Sequence, residues 1–233
     1  MPSRRRSYAS VMSDDTWAAV DDYLEGIFST SDPALDAALA ASEAAGLPPI
    51  AVSPLQGRFL HLLARSIGAR SILEIGTLGG YSTIWLARAV PPEGRVVTLE
   101  RESLHVEVAR RNLAGAGVLD RVEVREGDAD ETLDRMIVAG DGPFDFVFVD
   151  ADKERLADYF ERCMRLVRRG ALLVFDNVVR EGAVLDAASA DSRVLGVRRF
   201  NERIKDDRRV VATTLQTVGA KGYDGMTVAL VGD

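Results

Sequence analysis

Three acidic residues close short apolar runs: Glu74 in Leu73-Glu74-Ile75-Gly76, Asp150 in Phe148-Val149-Asp150-Ala151-Asp152-Lys153, and Asp176 in Val174-Phe175-Asp176-Asn177. In an open α/β sheet, residues just beyond the strand carboxyl ends face the ligand crevice. A carboxylate is costly to take out of water for packing alone, so these endings imply a polar ligand, a cation, or both. If the strands ending at Asp150 and Asp176 are neighbours, the two ends lie about 4.8 Å apart. One cation with metal–oxygen bonds of roughly 2.1 Å could then be shared by Asp150, Asp176 and the Asn177 amide oxygen. Three hard oxygen donors without histidine or cysteine favour Mg2+, with Mn2+ or Ca2+ as alternatives, over zinc. On the residues alone, a cap or turn role for these side chains stays open.

Glu74-Ile75-Gly76-Thr77-Leu78-Gly79-Gly80-Tyr81-Ser82 follows the first expected strand and opens a helix. Nucleotide-binding folds bring backbone close to their ligand at this point. A dinucleotide fingerprint begun at Gly76 would need glycine where Leu78 and Tyr81 stand, which argues against NAD or FAD. The phosphate-binding Gly-Lys-Ser/Thr pattern is missing as well. The turn suits a nucleoside without a pyrophosphate, with Glu74 accepting hydrogen bonds or meeting a cationic group. Glu100, at the end of the second strand, can accept both ribose hydroxyl hydrogens. Gly127-Asp128-Ala129, after the third, could supply an adenine contact.

The elements that must position these residues follow from periodicity. Apolar positions predict helices over Thr16–Phe28, Ala34–Ala45 and Leu55–Ile67, with Ser31-Asp32-Pro33 and Ser53-Pro54 as start signals. From Ser71 the rhythm alternates. Strands are expected at Ser71–Ile75, Arg95–Leu99, Val122–Arg125, Phe144–Val149 and Ala171–Phe175. Helices are expected at Ser82–Ala89, Ser103–Ala116, Glu131–Ala139 and Glu154–Val167. Such alternation implies parallel pairing with right-handed crossovers. After a helix near Ser192–Asp206, Val210–Thr217 and Met226–Val231 should form an antiparallel hairpin at the sheet edge. The expectation is one domain spanning 1–233, with a helical N-terminal cap region (1–70) and an α/β core (71–233).

Composition narrows the function classes. The 233 residues are 47% hydrophobic and 28% charged, ordinary for a soluble globular protein. A net charge of -7 argues against a broad nucleic-acid footprint. No stretch nears the roughly 20 apolar residues of a membrane span. Arg4, Arg5 and Arg6 are not followed by an apolar export segment and read as a solvated tail. With Cys163 as the sole cysteine, an intramolecular disulfide is excluded and a cytoplasmic location is expected. Cys163 reads as a small buried apolar residue, and His61 as a packed or surface histidine rather than a ligand.

Taken together, Val52-Ser53-Pro54-Leu55-Gln56-Gly57, Leu73-Glu74-Ile75-Gly76-Thr77, Gly79-Gly80-Tyr81-Ser82, Val149-Asp150-Ala151-Asp152-Lys153 and Asp176-Asn177 resemble a known family. It is that of the S-adenosylmethionine-dependent O-methyltransferases of the catechol and caffeoyl-CoA type. The resemblance runs from about Pro48 to Val231. It implies a Rossmann-like, doubly wound, seven-stranded and mostly parallel sheet with one antiparallel edge strand. It also implies S-adenosylmethionine as methyl donor, touched by Val52, Glu74, Gly76, Thr77, Ser82, Glu100, Ala129 and Asp150 or Asp152. By the same resemblance, Asp150, Asp176 and Asn177 hold the divalent ion, Lys153 is the general base, and the protein is a homodimer. Methyl transfer needs an oxygen nucleophile aligned opposite the departing sulfur, and a dication stabilises and orients a phenolate for that attack.

Two positions depart from the family pattern. Arg180, in Val178-Val179-Arg180-Glu181-Gly182, replaces a tryptophan that would help to wall the acceptor, and Gln56 stands where many relatives carry glutamate. Arg180 either meets an anionic acceptor, such as a carboxylate or phosphate, or points to solvent. The expected acceptor is a small molecule with vicinal hydroxyls. The alternatives are a metal-independent methyltransferase, a nicotinamide oxidoreductase opposed by Leu78 and Tyr81, and a non-catalytic nucleoside-binding protein.

Overall fold

The computed structural model describes residues 14–28 and 32–232; the arginine tail and Ser31 lie outside them. The strands are β1 (Ser71–Ile75), β2 (Arg95–Glu100), β3 (Val122–Glu126), β4 (Phe144–Val149), β5 (Val167–Asp176), β6 (Val210–Gly219) and β7 (Gly222–Val231). They form one sheet in the order β3-β2-β1-β4-β5-β7-β6. The first five are mutually parallel, and β7 runs antiparallel to both β5 and β6. The terminal hairpin thus supplies the one reversed strand, with β6 outermost.

The helices are α1 (Asp14–Phe28), α2 (Pro33–Ala44), α3 (Pro54–Ser66), α4 (Tyr81–Ala87), α5 (Ser103–Gly115), α6 (Ala129–Ala139), α7 (Leu156–Met164) and α8 (Ser192–Ile204). Successive strand residues point to opposite faces, so β4 feeds two cores. Phe146 and Phe148 join Leu60, Ile84, Trp85 and Leu113 on one side. Val147 and Val149 join Leu133, Phe160 and Phe200 on the other. Helices on both faces explain why the central strands are almost continuously apolar.

Most boundaries fall within two residues of the sequence expectation, and the larger departures have a physical cause. The helix expected to run to Val167 ends at Met164, and β5 begins at Val167 instead of Ala171. Val167 pairs with Phe144, so backbone hydrogen bonding overrides the helical period there. The hairpin strands also extend into the turn-rich stretch 218–225, leaving only Ala220 and Lys221 between them. Cys163 and His61 meet their expectations: Cys163 is buried, which pushes its thiol up to about 12. His61 packs edge-on to Trp85 with Nδ1 3.0 Å from the Trp85 carbonyl oxygen.

Two local features aim the site. Ser53 caps α3, its hydroxyl accepting from Gln56 N, with Pro54 in the first turn. Gly57 lets α3 lie against α4, since a Cβ there would stand 2.4 Å from the Trp85 ring. Gln56 is thereby held over the carboxyl end of β5.

Candidate active site

The carboxyl ends of β1 to β5 open into a cavity of about 710 Å³. Val52, Gly76, Thr77, Ser82, Glu100, Asp128, Ala129, Asp150, Asp152, Lys153, Asp176 and Asn177 all line it. Parallel strand pairing brings together groups that are far apart in sequence.

At the β1 end, Gly76 sits at φ +100° and a Cβ would meet the Asp150 carbonyl oxygen at 2.2 Å. Only glycine lets the turn pass this close to the end of β4. Gly80 begins α4 in the left-handed region, and Gly79 leaves room for the Ser42 hydroxyl of α2.

Glu74 behaves differently from the other acidic strand endings. It is fully buried and absent from the cavity wall. Its carboxylate accepts hydrogen bonds from Ser82, Thr83 and Thr98 at 2.7, 2.5 and 2.6 Å. Burial pushes its carboxyl up to about 7, against the pull of those three hydroxyls, with Asp150 adding a smaller upward push. Glu74 therefore braces the underside of the glycine turn.

The raised value has a thermodynamic consequence. The folded state holds a proton on Glu74 that the unfolded chain releases near 4.5. The stabilisation is thus fully present below about pH 4.5 and is lost as pH rises through about 7. Glu74→Gln is expected to remove this dependence, on the order of 3 kcal/mol at most. Urea unfolding of both proteins between about pH 5 and pH 7.5 checks it; parallel pH profiles would refute it.

Glu100 closes β2 with its carboxylate on the cavity wall. Oε2 accepts from Leu78 N at 2.8 Å, and Oε1 accepts from Arg101 N and Glu102 N at 2.8 and 3.0 Å. His105 Nδ1 stands 3.4 Å from Oε1. These donors fix the carboxylate while leaving acceptor capacity toward the cavity. Asp128 caps α6 by accepting from Asp130 N and Glu131 N, and Arg155 pairs with it at 3.0 Å. Ala129 presents its small side chain beside that cap.

Asp150 and Asp176 follow directly after the paired residues Val149 and Phe175, so the expected adjacency of their strands is observed. Lys153 is 8% exposed, and its Nζ donates to Asp150 Oδ1 at 2.8 Å. Asp152 stands 3.5 Å from Arg101 instead, so Asp150 is the carboxylate that Lys153 meets. Asp176 is buried; its Oδ1 accepts from Asn177 N at 2.8 Å and its Oδ2 from Gln56 Nε2 at 2.5 Å. Burial first and Asp150 second push the Asp176 carboxyl well above the ordinary carboxylate range, with Lys153 a partial counterweight. Asn177 lies at φ +55°, which asparagine tolerates better than most residues.

Among the described residues no group of three or more His, Cys, Asp or Glu side chains is suited to a metal ion. The set at the β4 and β5 ends is two carboxylates and one amide oxygen. These donors fit a hard dication: all are oxygens, and the pair carries negative charge that Lys153 alone does not balance.

The profile of the O-methyltransferase family matches residues 29–231. The chain belongs to this family. It is 56% identical over 212 residues to a catechol O-methyltransferase of Mycobacterium tuberculosis, covering 91% of this chain and 94% of the relative. An O-methyltransferase from Bacillus cereus, solved in complex with SAH, superposes with a TM-score of 0.93 at 52% identity, over 94% of this chain and 100% of the other. TomG from Streptomyces achromogenes, solved with SAM, gives 0.92 at 50% identity, over 95% and 100%.

In this O-methyltransferase several site contacts had no local signal in the sequence. The Gln56–Asp176 hydrogen bond joins residues 120 positions apart. Thr83 and Thr98 read as ordinary helix and strand residues, yet both donate to Glu74. Asp224, in the hairpin, organises the loop after Asn177: its Oδ1 accepts from Val179 N, Arg180 N and Gly225 N, each at 2.9 Å. Arg180 lines the cavity, so the solvent-facing alternative for it is set aside.

Proposed function

We propose that the protein transfers a methyl group from S-adenosylmethionine to one hydroxyl of a catechol-like small molecule. In this reading Asp150, Asp176 and Asn177 hold a divalent cation, Mg2+ or else Mn2+ or Ca2+. The observation that carries it is that one cavity is lined both by the residues at the β1, β2 and β3 ends and by a carboxylate pair, Asp176 buried and Asp150 partly exposed with Lys153 on it. The ligands and names of the similar proteins support the same donor and acceptor class.

S-adenosylmethionine supplies a methyl group on a sulfonium, and the cation, when bound, favours the ionised form of an acceptor hydroxyl. The chain's residues do the rest. Glu100 accepts from the donor's ribose hydroxyls, and Asp128-Ala129 border its base. Gly76, Thr77 and Ser82 form the turn against the donor's amino-acid end, with Val52 and Asp152 completing the wall. Ile50, Ala51 and Tyr81 give that wall apolar surface, which limits water at the reacting atoms. Lys153 Nζ is the group placed to receive the acceptor's proton, and Asp150 fixes where that nitrogen sits. Gln56 and Asn177 N hold Asp176 in one rotamer.

The deciding assay measures transfer of labelled methyl to catechol with Mg2+ present and, separately, with excess EDTA. Transfer that chelation abolishes and Mg2+ restores is the expected result. Transfer indifferent to chelation would favour a metal-independent enzyme. Donor binding without transfer to any of a broad diol panel would favour a binding protein.

Residues 1–233 are taken as one methyltransferase domain, because α2 reaches the core fold through Asn112 Nδ2, which donates to the Ala38 and Gly79 carbonyl oxygens. A cytoplasmic location rests on the single buried cysteine; no helix among the described residues is long and apolar enough to cross a membrane. A homodimer is supported by exposed Tyr23 and Ile27 on α1 beside exposed Val211, Leu215 and Val218 on β6. Light scattering should return twice the chain mass, and Leu215→Lys should shift it toward one; a monomeric wild type would refute the dimer.

A further inference from the structure

Arg180 stands where the sheet order leaves room for the far end of an acceptor. Across the sheet the nucleoside contacts lie on β2 and β3, Asp150 and Asp176 on β4 and β5, and Asp224 on β7. Asp176 pairs with Met226, two residues after Asp224, so the Arg180–Asp224 contact borders the β5 end on the side away from the nucleoside. One strand spacing is about 4.8 Å. Arg180 therefore borders the same cavity beside the β5 end, next to the carboxylates where an acceptor's hydroxyls would be held.

The loop is built to keep Arg180 there. Arg180 and Glu181 both adopt φ +55°, a conformation that costs free energy for residues other than glycine and persists only where surroundings enforce it. Asp224 Oδ1 enforces it by accepting from two backbone N–H groups of the loop, Val179 and Arg180. The guanidinium itself is left incompletely used. Among the described residues its Nε is buried without a hydrogen-bond partner, and Asp224 Oδ2 stands 3.6 Å from Nη1, beyond hydrogen-bonding range. The side chain as a whole lines the ligand cavity, so its terminal N–H groups are the ones open to an acceptor from the ligand.

Resting on the methyl-transfer reading, we propose that Arg180 binds a carboxylate on the acceptor, so that the substrate class is a carboxylated catechol. A planar monoanion matches the guanidinium fork in shape. It also matches the charge: Asp224 already offsets part of Arg180, and Glu181 lines the same cavity. A dianionic phosphate would face those two carboxylates with less compensation. Lys221 lines the same cavity, with one of its three N–H groups donated to the Pro49 carbonyl oxygen at 3.1 Å.

The test compares kcat/KM for 3,4-dihydroxybenzoate, its methyl ester and 3,4-dihydroxyphenylphosphonate, in wild type, Arg180→Gln and Arg180→Lys. The carboxylate should exceed the ester by about 10- to 100-fold in the wild type, the range expected of a hydrogen-bonded charge pair. The difference should lie mainly in KM. That ratio should collapse toward one in Arg180→Gln and recover in part in Arg180→Lys. Titration with S-adenosylhomocysteine establishes that each variant still binds the donor product. Equal use of acid and ester by the wild type, a ratio that survives Arg180→Gln, or preference for the phosphonate would each overturn the proposal. No turnover of any diol would overturn the methyl-transfer reading instead. Equilibrium binding of the acid and ester, with S-adenosylhomocysteine present, would then still decide whether Arg180 selects the carboxylate.

Discussion

Replacing Asp176 by asparagine is expected to leave the protein folded while lowering Mg2+-dependent turnover on the order of 10²- to 10³-fold. The variant's Oδ1 can still accept from Asn177 N, and Gln56 can turn its amide so that its Oε1 accepts from the new Nδ2, which keeps the rotamer. It deletes the charge that burial and Asp150 both disfavour, so stability should hold or rise slightly. Affinity for the cation should fall with activity, because a neutral amide replaces a carboxylate donor. Mn2+ binding followed by electron paramagnetic resonance reads that loss without turnover, and urea unfolding reads stability. Asp150→Ala should differ in one respect. It abandons Lys153, which is 8% exposed, so a stability cost of about 1–3 kcal/mol accompanies the loss of activity. Full activity in either variant would remove these residues from the site.

Lys153 carries the second large effect. Lys153→Met should lower turnover by about 10²- to 10⁴-fold, the range for loss of a positioned general base. Lys153→Arg separates the base from the charge. Arginine can still pair with Asp150, 2.8 Å from the present nitrogen, but does not give up its proton at ordinary pH. If Lys153 accepts the acceptor's proton, the arginine variant should be nearly as slow as the methionine one while retaining stability. Near-wild-type turnover by Lys153→Arg would assign the residue an electrostatic role and leave acidification to the cation.

Much of the framework was legible because it depends on local patterns. The alternation of five apolar runs with helical periods located β1 to β5 and α4 to α7 within a few residues. Glycines at 76, 79 and 80, with Glu74 near the end of the first strand and Glu100 closing the second, marked one side of the cavity. Asp150 and Asp176-Asn177 were recognisable because a carboxylate at the end of a buried strand has few structural uses. The errors came where hydrogen bonding between distant segments outweighs local period. β5 starts four residues early because Val167 finds Phe144, and β6 and β7 grow into a stretch of turn residues because they zip against each other.

The sequence by itself determined the kind of site this is, since residue type sets what a side chain can donate, accept or ligate. It could not determine which acidic endings share a task, because that depends on strand order and on the direction each side chain takes. The tertiary structure separates them. Asp150 and Asp176 meet at neighbouring strand ends, whereas Glu74 turns beneath the glycine loop and is claimed by three hydroxyls. It likewise brings Gln56 to Asp176 across 120 residues and Arg180 to Asp224 across the hairpin. Contacts of that kind arise only when the sheet closes its order, which is why the acceptor end of the cavity stayed unreadable until the chain was folded.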